Sequence, residues 1–134
     1  MAMEIRRTIT SPDGSAAHDG PILCVAFNPL RREISTGSQD TTIKTWLSET
    51  GEHVRTLQGH KGWVTGLVFA ASHKVLLSCS IDGCVHVWNK SELQQKVKVG
   101  TPQERGDVDV PPTVKPGPLH CLAWDAKRGN LCVG

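Results

Sequence analysis

Tyrosine is absent from the 134 residues, phenylalanine occurs twice, and aromatic residues make up only 4% of the chain. A core with so few rings must draw on valine, isoleucine and leucine around a handful of large anchors, and that is a strand-forming palette. No apolar run approaches the length that crosses a bilayer as a helix. Met1–Thr10, interrupted by Glu4, Arg6 and Arg7, lacks the apolar core of a secretory leader. An intracellular location is expected, cytoplasmic rather than nuclear. Charge of one sign is missing too: 15 Lys and Arg against 13 Asp and Glu leave +2, too balanced to point by itself to nucleic acid or an anionic membrane. Five cysteines (Cys24, Cys79, Cys84, Cys121, Cys132) make an odd count with no CxxC spacing. They suit a reducing compartment, and neither a disulfide framework nor a metal site is expected. A Gly-rich phosphate loop, metal-ligand spacing and an activated nucleophile are also lacking, which disfavours an enzyme; no cofactor is expected.

The sequence does contain a repeat. Slid against itself by 42 residues, it brings His18 onto His60, Gly20 onto Gly62, Ile22 onto Val64, Val25 onto Leu67 and Phe27 onto Phe69. Further along, Ile34 falls on Leu76, Thr36 on Ser78, Ser38 on Ser80, Asp40 on Asp82, Ile43 on Val85 and Trp46 on Trp88, with no gap. A third, partial copy begins at Leu119–Trp124, which echoes Ile22–Phe27, and ends with Leu131–Gly134, which echoes Ile34–Gly37. Between the second and third copies lies an insertion from Gly100 to Gly117, rich in proline and charge, which reads as an exposed loop.

Within each copy the apolar residues alternate in four short runs: Ile22, Val25 and Phe27; Ile34 and Thr36; Ile43 and Trp46; Val54 and Leu57. Alternation of this kind is the signature of half-buried strands, and helical periodicity of useful length is lacking. Asn28-Pro29, Ser48–Gly51 and Ile81-Asp82-Gly83 supply turns between them.

A four-stranded unit of this length, with Gly59-His60 near its start, an aspartate turn at Ser78–Asp82 and the strand Val85-His86-Val87-Trp88, resembles the WD-repeat family. The first copy departs in having Ala17 for the family's glycine, and Leu47 and Asn89 follow the tryptophans where the family has aspartate. In the third copy Lys115 stands where histidine would. The resemblance implies an all-β fold, a partial β-propeller of two complete four-stranded blades plus an incomplete third. The divisions are residues 1–17 as an N-terminal segment, with Ile5–Ile9 as a candidate outer strand, 18–59 and 60–99 as blades, 100–117 as the insertion and 118–134 as a truncated third blade. Since closure usually takes 4–8 blades, the chain reads as a fragment or short isoform of a longer propeller, prone to self-association through its exposed blade faces.

The resemblance also implies a hydrogen-bond network inside each blade, formed by His18, Thr36, Asp40 and Trp46 in one and His60, Ser78, Asp82 and Trp88 in the next. Serine, histidine and aspartate together could suggest a hydrolase triad. Duplication of the same spacing in adjacent blades favours the structural reading, and no catalytic residues are assigned. Family propellers meet partners mostly on the loops before the first strand and between the second and third, here Asp19, Pro21 and Gln39, then Lys61, Trp63 and Ile81, with Trp63 open to two readings, an interface anchor or a side chain packed against the next blade. Other proteins are therefore the expected partners. The alternative is a phosphoinositide or nucleic-acid binder using the basic loops Arg31-Arg32, His73-Lys74 and Lys127-Arg128, which neighbouring Glu49, Glu52 and Glu92 make less favourable.

Overall fold

The computed structural model describes residues 9, 17–90, 92–98, 118–120, 122–125, 127–128 and 130–134. Two four-stranded antiparallel sheets account for most of them. In the first, β1 (Ile22–Asn28), β2 (Glu33–Ser38), β3 (Ile43–Leu47) and β4 (His53–Leu57) lie in chain order; in the second, β5 (Val64–Ala70), β6 (Val75–Ser80), β7 (Cys84–Asn89) and β8 (Glu92–Lys98) repeat the arrangement. A two-stranded sheet of β9 (Leu122–Asp125) and β10 (Asn130–Val133) follows, and Leu131 pairs with Trp124 as Ile34 pairs with Phe27. The expected all-β partial propeller is what the structure shows. The insertion at Gly100–Gly117, Lys115 and, apart from Ile9, the stretch expected as an outer strand lie outside the described residues. No helix among the described residues is long and apolar enough to cross a membrane.

The second and third sheets each bury their first-strand face against the sheet before. Val64 and Leu67 of β5 pack with Ile43, Leu57 and Trp88, against which Cys24 and Ala26 close from the first blade. On the other side of the second blade, Cys79 and Val85 pack with Leu119, Leu122, Leu131 and Val133. The matching face of the first blade is bare, with Val25 at 63% and Phe27 at 53% exposure. Burial of such side chains is the main driving force of sheet stacking, at about 25 cal/mol per Å² of apolar surface.

Spacing between blades is set by a cysteine and a glycine facing each other across the first two strands. Cys24 pairs with Gly37 in the first blade, and Gly66 with Cys79 in the second, so the two residues exchange places one repeat on. A Cβ on Gly37 would lie 2.6 Å from both Cys24 Sγ and Val64 Cγ1, and one on Gly66 would lie 2.7 Å from Cys79 Sγ. Room for one sulfur per pair is all that the packing leaves. Burial, with the neighbouring Cys79, pushes the Cys24 thiol up to about 12, and it donates to the Val64 carbonyl at 3.5 Å.

The turn between β2 and β3 carries strain that its counterpart lacks. Thr41 sits at φ 75°, where the second blade has Gly83 at φ 77°. A β-branched residue in the left-handed region is disfavoured by about 1–2 kcal/mol. Thr41→Gly is therefore expected to raise the unfolding free energy by about 1 kcal/mol, as read from denaturant melts; an unchanged or lower midpoint would contradict this.

Candidate functional site

Donor and acceptor chemistry gives the network in each blade a direction. Tryptophan can only donate and aspartate only accept. Trp88 Nε1–H donates to Ser78 Oγ at 2.9 Å. The Ser78 hydroxyl donates onward to His60 Nε2 at 2.7 Å, and His60 Nδ1–H donates to Asp82 Oδ2 at 3.1 Å. The first blade repeats the relay: Trp46 to Thr36 at 3.0 Å, Thr36 to His18 at 2.7 Å, His18 to Asp40 at 2.9 Å. The eight residues assigned to the two networks are thus brought together four by four.

The aspartates also organise backbone. Asp82 accepts the amides of Lys61 and Cys84, both at 2.9 Å, while Asp40 accepts those of Asp19 at 3.0 Å and Thr42 at 2.9 Å. Partial burial pushes both carboxyls up. Hydrogen bonds from Thr42 and His18 outweigh this at Asp40, as do those from Lys61, Cys84 and His60 at Asp82, and both carboxyls sit below the usual range. Burial drives His60 down despite the pull of Asp82, which favours the neutral ring that the relay requires, while Asp82 at Nδ1 selects the tautomer.

The arrangement has the spacing of an acyl-transfer triad without its access. Ser78 is fully buried and its oxygen already accepts the hydrogen bond of Trp88 Nε1–H, so no substrate carbonyl reaches it. Metal chemistry meets a similar obstacle. His60, Asp82 and His86 offer ligand atoms within 4.8 Å of one another, but the two imidazoles stack at 3.8 Å and 11°. Their lone pairs lie in nearly parallel planes and do not converge on an ion about 2 Å from each nitrogen.

Directly above the aspartates the loops are stitched together. The Gln39 amide donates to the Pro21 carbonyl at 3.0 Å and the Ile81 amide to the Trp63 carbonyl at 3.1 Å. Gly62 permits the second junction, since a Cβ there would lie 2.7 Å from Ile81 Cγ1. Asp19, Pro21 and Gln39 therefore form one patch and Lys61, Trp63 and Ile81 the next. Asp19, Pro21, Lys61 and Trp63 are exposed, Gln39 and Ile81 half-buried.

Sequence reasoning missed two features. One is His86, completely buried with both ring nitrogens lacking a hydrogen-bond partner. The other is a bidentate ion pair in which Arg55 donates to Glu33 at 2.8 and 2.9 Å. Repeat comparison offered a signal for each: Lys44 stands where His86 does, and Val75 and Val97 where Glu33 and Arg55 do.

The profile described as "WD domain, G-beta repeat" matches residues 8–46 and 51–89, more than half of the chain. These segments run out of phase with the sheets, since β4 lies in the second matched segment and closes the first blade. Nuclear distribution protein PAC1-1 of Uncinocarpus reesii (strain UAMH 1704) is 44% identical over 85 residues, covering 61% of this chain and 19% of that protein. Mouse striatin is 33% identical over 124 residues, 83% of this chain and 16% of its own length. The chain thus spans about a fifth or less of these relatives. Among solved structures, a chain of the mitotic checkpoint complex superposes with a TM-score of 0.69 at 23% identity, over 89% of this chain and 32% of that one. The WD40 β-propeller domain of Doa1 gives 0.69 at 21% identity, over 90% and 35%. With the repeat, the sheets, the relay and the profile all in agreement, the chain belongs to the WD-repeat β-propeller family.

Proposed function

We propose that the chain is a non-catalytic scaffold segment that binds other proteins through the loop face above the two aspartates, within a multiprotein assembly inside the cell. The observation that carries this reading is the presentation of Trp63: 46% exposed, yet fixed at its carbonyl by the Ile81 amide and flanked by Lys61, whose amide is held by Asp82. With its backbone held, an exposed indole has only its two side-chain torsions left to order on binding and makes an effective interface anchor. The bare face of β1, with Val25 and Phe27 exposed, supports self-association as well.

Trp63→Ala is the test. Proteins captured from cells by the chain and by the variant are compared quantitatively, alongside thermal melts of both. Loss of the enriched partners by about tenfold with an unchanged Tm is expected. Unchanged capture, or a fall in Tm of several degrees that accounts for the loss, would count against the loop face.

A further inference from the structure

A cleft of about 400 Å³ separates the first and second blades on the side of the β1–β2 and β5–β6 turns, away from Trp63. Leu30, 58% exposed, and the half-buried Phe69 and Leu76 give it apolar walls over the buried Leu57 and Trp88, and Arg31, Lys74 and Lys90 add three exposed cations. Among the described residues none of the three is in an ion pair. Glu33 also lines the cleft, but both of its oxygens are held by Arg55, so it does not offset the rim charge.

The repeat shows how this surplus arises. In the first blade the turn residue Arg32 pairs with Glu49. One repeat later Lys74 takes the place of Arg32, with φ 56° against 54°, while Ser91 replaces Glu49. The cation is kept and its paired carboxylate is lost: Glu92, the next acid along, accepts from Gln94 at 3.3 Å and is in no ion pair with Lys74 or Lys90. Lys90, again at φ 56°, adds a further charge on the same blade. The buried Glu33–Arg55 pair has no equivalent at Val75 and Val97, so the polar floor belongs to this cleft alone among the described sheets.

We propose that the cleft docks an acidic peptide segment of a partner protein, with an aliphatic side chain against Leu30, Phe69 and Leu76 and flanking carboxylates on Arg31, Lys74 and Lys90. The volume is that of a small binding pocket, room for two or three side chains. The apolar walls favour a peptide over a bare phosphate or sugar headgroup, because desolvated aliphatic contact supplies affinity while the charges supply orientation. This goes beyond the loop-face reading and depends on it only in taking a protein as the partner.

The probe is a fluorescein-labelled peptide of alternating glutamate and leucine, titrated with the full chain by fluorescence anisotropy at low and high salt. Saturable binding that weakens with salt is expected. A Lys74→Glu/Lys90→Glu double variant should bind about tenfold more weakly with an unchanged Tm, whereas Trp63→Ala should bind it normally, which separates this cleft from the loop face. A lysine–leucine peptide should not bind. Equal binding by the double variant would overturn the proposal, as would loss of binding in Trp63→Ala with the double variant intact. Capture of the chain by vesicles containing phosphatidylinositol bisphosphate without binding of the acidic peptide would overturn it in favour of a membrane surface.

Discussion

Replacing Asp82 by alanine is expected to lower the unfolding free energy by about 3 kcal/mol, a large fraction of what a domain of this size holds. Three donors lose their acceptor at once: His60 Nδ1 and the amides of Lys61 and Cys84. The ring of His60 is buried and regains little from water, so its share is close to the full desolvation penalty of about 1–3 kcal/mol. The loss does not stop there. Without the carboxylate nothing fixes the Nδ1–H tautomer, and Ser78 and Trp88, which donate hydrogen bonds along the same line, lose their order. Asp82→Asn keeps one acceptor oxygen and should cost about half as much. Guanidinium melts followed by tryptophan fluorescence read both. A change below about 1 kcal/mol for the alanine variant would mean that the relay is an ornament of the blade and not its brace.

The fold was legible because the repeat carries its own register. The offset of 42 that aligns His18 with His60 also aligns the start of β1 with β5 and of β2 with β6, and alternation then fixes which residues face the neighbouring blade. The network was legible only through the family resemblance, since His60 and Asp82 meet across 22 positions and no local pattern demands that contact. His86 shows where sequence reasoning ends. Alternation on β7 assigns it a face but not a neighbour, and its stacking on His60 depends on how the loop before β5 folds back over β7. The Glu33–Arg55 pair was hidden for a similar reason: it joins β2 to β4 across β3, and two charged residues on short strands look like any solvated pair. Neither the cleft nor its charge surplus can be counted before the blades are set side by side.

Acid should unfold the chain in a window set by His86. Its ring is fully buried against His60 at 3.8 Å, with neither nitrogen hydrogen-bonded, so a proton there brings a charge with no acceptor. Burial, reinforced by the charges of His60 and Lys96 and opposed by Asp82, lowers its pKa from an ordinary 6.5 to about 4. Above pH 6.5 the ring is neutral in both the folded and the unfolded chain, and it contributes no pH dependence. Between pH 6.5 and 4 the unfolded chain takes up the proton and the folded chain does not, so stability falls as pH falls. At about 1.4 kcal/mol per pKa unit the loss reaches about 2 kcal/mol at pH 5 and about 3 kcal/mol at pH 4. His60, also lowered, shifts in the same direction. Asp40 and Asp82 are lowered from 3.8, so their contribution persists through this window and disappears only below it. His86→Phe separates these sources, because phenylalanine keeps a flat ring on His60 and cannot take a proton. The variant should match or exceed the stability of the unsubstituted chain at pH 7 and exceed it by about 2 kcal/mol at pH 5. Parallel stability profiles for the two chains between pH 7 and 5 would place the acid sensitivity elsewhere.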